Sequence, residues 1–96
     1  MQPSTAQNLR AIAPQILSGE VTGDEPFASP AIKSAIAVLS ILNDGDWHTS
    51  KQLAEKTGLS RNYVSAILTV CKDEWGLASH RRNGWMMVKP DSAIVV

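Results

Sequence analysis

Cysteine is almost missing from this chain of 96 residues, and the single thiol, Cys71, cannot form an internal disulfide. Cys71, His48 and His80 share no zinc-ligand spacing, so no metal is expected. No run approaches the roughly 18 uninterrupted apolar residues of a membrane span, and the opening "MQPSTAQNLR" lacks the basic-then-apolar order of a signal peptide. A cytoplasmic location and no membrane partner are the resulting expectations. The chain also lacks a glycine-rich phosphate loop and any nucleophile paired with a base at a recognisable spacing. Its acidic pairs, Asp44/Asp46 and Asp73/Glu74, fall at helix ends where capping accounts for them. The sequence therefore predicts no enzyme and no cofactor.

What is present suits one small folded unit: 44% hydrophobic and 19% charged residues, too apolar for disorder throughout. A formal net charge of zero conceals a division along the chain. Residues 1–47 set Arg10 and Lys33 against five acids, a balance of −3, whereas residues 48–90 set seven bases against three acids, a balance of +4. A basic second half points to an anionic partner there.

Helical spacing of Ala6, Leu9, Ile12, Ala13, Ile16 and Leu17 predicts a helix over 4–17, broken or split by Pro14. The stretch "SGEVTGDEPFASP" then reads as a linker, making residues 1–29 a partly helical N-terminal arm. From Pro30 the segment "AIKSAIAVLSILNDG" predicts a helix over 31–43, apolar except for a narrow stripe through Lys33, Ala37 and Ser40. So wide an apolar face needs two covers, the core and either the arm or a second subunit, which suggests a homodimer through helix 31–43 and the arm. "DWHT" can form a short strand with His48 at the surface. Thr49 and Gln52 then fit a capping box, Gly58 a stop, and Ser60 the cap of a last helix carrying Val64, Ile67, Leu68 and Cys71 inward. "LASHRRNGWMMV" reads as a hairpin over 77–89 turning at Asn83-Gly84, with Arg82 opposite Trp85 and with Leu77, Met86 and Val88 inward. A tail, 91–96, follows the unit at 30–90. The three tryptophans read as packing residues and Cys71 as a small buried hydrophobe.

This order of elements, and the segment "TSKQLAEKTGLSRNYVSAIL" with Leu53, Ala54, Gly58, Leu59, Val64 and Ile67 at their spacings, resembles the winged helix-turn-helix domain. The resemblance covers residues 31–89. It implies an α+β, mainly helical fold, with a three-helix core and a C-terminal β-hairpin wing, here preceded by the N-terminal arm. It further implies a small transcriptional regulator that binds double-stranded DNA, with helix 60–74 in the major groove and the wing on the backbone or minor groove. The outward residues on the last helix are then Ser60, Arg61, Asn62, Tyr63, Ser65, Ala66 and Thr69, a face expected to hold no acid. Arg61 can reach guanine, Asn62 adenine, and Ala66 or Thr69 a thymine methyl. Ser50 and Lys51 would take a phosphate at a helix start, and His80, Arg81 and Arg82 would form the wing contacts. Some winged helices instead bind proteins, so an adaptor or an inhibitor of a nucleic-acid enzyme stands as the alternative.

Overall fold

A computed structural model describes residues 3–88. Four helices, α1 (Pro3–Ser18), α2 (Pro30–Leu42), α3 (Ser50–Thr57) and α4 (Arg61–Trp75), precede an antiparallel hairpin of β1 (Leu77–His80) and β2 (Gly84–Met87). The expected tail at 91–96 and the last wing residue, Lys89, lie outside the described residues. The fold is thus α+β and mainly helical, with its strands after its helices.

Pro14 does not split the first helix: α1 runs unbroken past it. An interior proline costs about 3 kcal/mol, but Pro14 sits on the solvent side, where water can satisfy the Arg10 carbonyl it leaves without a donor. On the opposite side Leu9, Ala13 and Ile16 are buried. At about 1.5–3 kcal/mol per large apolar side chain, Leu9 and Ile16 offset that cost. The Trp75 indole N–H adds a buried bond of 3.0 Å to the Ala13 carbonyl. Helix α1 packs chiefly on α4 and shares one hydrophobic core with α2, α3 and the hairpin. The expected arm is therefore a wall of the core.

The same packing changes the reading of α2. Ala31, Ile32, Ala35, Val38, Leu39 and Leu42 are buried, while Lys33, Ala37 and Ser40 form the expected exposed stripe. Helix α1, together with Val21 and Ala28 of the connecting loop, joins the core from this chain and supplies the second cover. No second subunit is needed for it. The loop is itself tied down, because the Glu25 carboxylate accepts from the amides of Thr22 and Gly23. Those bonds, led by the Thr22 amide, hold the Glu25 carboxyl below its ordinary range.

The hairpin departs from the expected register. Leu77 pairs with Met87, Ala78 with Met86, Ser79 with Trp85 and His80 with Gly84, leaving Arg81, Arg82 and Asn83 as a three-residue connection. A two-residue turn centred on Asn83-Gly84 needs positive φ at both positions, but only Gly84 has it, at 93°. The resulting offset of three residues reverses the faces of the second strand. Met87 is buried with Leu77, and Val88, expected inward, is 46% exposed.

"DWHT" contributes a single bridge, His48 to Trp85, with N–H···O bonds of 2.8 and 2.7 Å. His48 is buried, not at the surface: its Nε2 lies 2.9 Å from the Asp44 carboxylate. Asp44 also accepts from the Asp46 amide, the largest of the causes, His48 and Lys56 among the others, that hold its carboxyl below the usual range.

Candidate functional site

The helix pair that carries most of the candidate residues is fixed by local chemistry at each end. Thr49 and Gln52 close a reciprocal capping box at the start of α3. At its end Gly58 takes the left-handed conformation, φ 75°, and donates to the Ala54 carbonyl at 2.9 Å. Ser60 then caps α4 by accepting from the Tyr63 amide at 3.1 Å. Leu53, Val64, Ile67 and Leu68 are fully enclosed between the helices and set their crossing. Ser65 donates to Ser50 across the pair at 3.2 Å, so both hydroxyls bind helix to helix.

With Val64, Ile67, Leu68, Cys71 and Trp75 facing inward, the opposite side of α4 presents Asn62, Ala66 and Thr69, with Arg61 exposed at its first position. Asn62, Ser65, Ala66, Thr69 and Val70, together with Ala6 of α1, line a shallow open trough of about 510 Å³. Helix α3 flanks this side at Ser65 and α1 flanks it at Ala6. Thr69 donates its hydroxyl back to the Ser65 carbonyl at 2.8 Å.

Two expectations about this face need correction. Tyr63 does not join the outward group: it is half-buried and lines a separate cleft of about 380 Å³ with Thr5, Asn8, Pro30 and Ile32. The cause is helical periodicity, since Tyr63 lies one residue from the inward Val64 and its ring covers the α1 side of the core. Nor is the face wholly free of acid. Asp73, exposed, follows Asn62, Ala66 and Thr69 at helical spacing, so the acid-free part ends before the last turn.

The hairpin tip comes to the start of α3 because Gly84 packs backbone to backbone against His48 and Thr49. A Cβ at Gly84 would strike the His48 carbonyl and the Thr49 Cα. Arg81 and Arg82 are exposed in the tip, and Lys51 is exposed on the first turn of α3, two residues beyond that contact. His80 has a structural task as well as an exposed position: its Nδ1 accepts from the amides of Arg82, at 3.2 Å, and Asn83, at 3.3 Å. With Nδ1 engaged by these loop amides, Nε2 is the ring nitrogen of His80 left to meet an outside partner.

Trp47 is the residue near the site that sequence reasoning missed. It is 37% exposed, and its ring meets the His80 ring edge-on at 5.9 Å. Strand alternation on either side of Gly84, which has no side chain of its own, is the signal that places the two rings on one face. Cys71, by contrast, is enclosed, and burial pushes its thiol up to about 12. Among the described residues no three His, Cys, Asp or Glu side chains form a metal-binding group, and no helix is long and apolar enough to cross a membrane. In comparisons with known proteins, no family model, curated protein or solved structure matches the chain.

Proposed function

We propose that this chain is a winged helix-turn-helix protein that binds double-stranded DNA in a sequence-specific way and acts as a transcriptional regulator. The observation that carries the reading is that three exposed cationic or base-reading elements adjoin in turn, α4 meeting the start of α3 through Ser65 and Ser50 and the hairpin meeting it through Gly84. These are the exposed start of α4 with Arg61 and Asn62, the start of α3 with Lys51, and the Arg81-Arg82 tip fastened beside it through Gly84. Helix α4 would enter the major groove by its first two turns, since Asp73 stands on the same stripe further along and would repel phosphate. Arg81 and Arg82, with Lys51 and the α3 start beside them, would rest on the flanking backbone.

Selection from a random duplex pool tests the proposal. Retained duplexes should share a common core. Arg61→Ala or Asn62→Ala should relax base choice at one position each, by a factor corresponding to about 1–3 kcal/mol. A pool that is not enriched at low salt would remove the proposal.

One observation favours a second reading, a module for protein contact. The outer face of the small sheet gathers Trp47, half-buried Met86 and Val88, an apolar patch that duplex binding by α4 does not use. Capture of a protein partner lost in Trp47→Ala, with no duplex retention, would support it.

A further inference from the structure

We infer that the α4 trough selects A·T base pairs by contact with thymine methyl groups. The inference rests on the duplex-binding reading above and names the sequence class that the same site would accept. It follows from which hydrogen-bonding atoms in the trough are already engaged. Ser65 donates to Ser50, and Thr69 donates to the Ser65 carbonyl. Ala6, Ala66 and Val70 have no polar side-chain atom, and Arg61 stands outside the trough. Asn62 alone remains with a free donor and acceptor, and it is exposed.

An Asn amide matches the N6 and N7 of adenine in two bonds, whereas small apolar groups match only the thymine C5-methyl among major-groove features. A G·C pair under Ala66 and Thr69 would offer no methyl to them, so the apolar contact made with the thymine C5-methyl would be lost. Thr69 lies seven residues beyond Asn62, about 10 Å along the helix axis, so the trough spans three base-pair steps of about 3.4 Å. The expected core is a run of three or four A·T pairs, adenine opposite Asn62 and thymine methyls against Ala66 and Thr69. Because the methyl is the feature read, thymine-bearing DNA is favoured over a uracil-bearing duplex of identical hydrogen bonding.

The test uses the full chain and the duplexes it retains from a random pool, resynthesised with deoxyuridine at each core thymine in turn. An A·T core, with binding weakened about fourfold for each methyl removed, supports the inference. Thr69→Ser keeps the hydroxyl bonded to Ser65 and removes only a methyl, and it should abolish the deoxyuridine penalty at one position alone. A G·C core, or equal binding of thymine and deoxyuridine duplexes, would overturn the inference while leaving duplex binding intact. No retention of any duplex would overturn both.

Discussion

Replacing Gly84 by alanine is the sharpest perturbation of the hairpin, because two separate penalties meet there. Gly84 has φ 93°, and an L residue held at positive φ loses about 1–2 kcal/mol. The added Cβ also runs into the His48 carbonyl and the Thr49 Cα, both of them backbone, so no side-chain rotation relieves the clash. Strand β2 must withdraw, and the two His48–Trp85 bonds, 2.8 and 2.7 Å, are lost with it. At about 0.5–1.5 kcal/mol net for each bond, the total reaches about 2–5 kcal/mol. Gly58 provides the internal control. It too has positive φ, 75°, but a Cβ there meets nothing within 4 Å, so alanine costs only the conformational part. The difference between the variants, about 1–3 kcal/mol, corresponds to about 5–20 °C in Tm for a chain of this size. Thermal unfolding followed by circular dichroism reads it directly. Equal melting temperatures for Gly58→Ala and Gly84→Ala would refute the claim that the tip is fastened through backbone contact.

Trp75→Phe removes the indole donor to the Ala13 carbonyl and should cost about 1–3 kcal/mol in urea unfolding, although α1 and α4 keep their apolar contact. The Asp44 carboxyl is held below its ordinary range by the Asp46 amide and by His48. Its contribution is complete above that range and is lost as pH falls through the lowered value, so the wild type should lose stability below about pH 4 more steeply than Asp44→Asn. The Cys71 thiol, pushed up to about 12 by burial, should resist alkylation at neutral pH until urea unfolds the chain. Rapid labelling of the native protein would contradict its place in the core. Sedimentation at high concentration should show a single 10.4 kDa species, because α1 and the 19–29 loop already cover the apolar side of α2.

Much of this architecture was legible because it is written in short-range signals. Thr49 with Gln52, Gly58 and Ser60 are capping residues whose effect is local, and each acts where its spacing placed it. The apolar stripe of Val64, Ile67, Leu68 and Cys71 follows directly from helical periodicity. Errors arose where a local preference competed with tertiary packing. Pro14 disfavours a helix by itself, but the burial of Leu9 and Ile16 outweighs it. Asn83-Gly84 favours a two-residue turn in an isolated hairpin. Here Gly84 must lie against His48, so the connection lengthens to Arg81, Arg82 and Asn83 and moves Met87 inward in place of Met86. The candidate site divides in the same way. Arg61, Asn62, Ala66, Thr69, Lys51, Arg81 and Arg82 are all at the surface or half-buried beside it, as helix and hairpin positions predict. Tyr63 packs against α1, distant in sequence, and His80 bonds to amides of a connection whose length depends on tertiary contact, so short-range spacing encodes neither task.

Binding of a labelled duplex across a salt series, comparing the wild type with an Arg81→Ala/Arg82→Ala double variant, tests the central proposal most directly. A wing resting on the backbone predicts a linear fall of log affinity with log salt, flattened by about 2 in slope in the double variant. Undiminished slope in the variant, or no binding of duplex by the wild type at low salt, would contradict it.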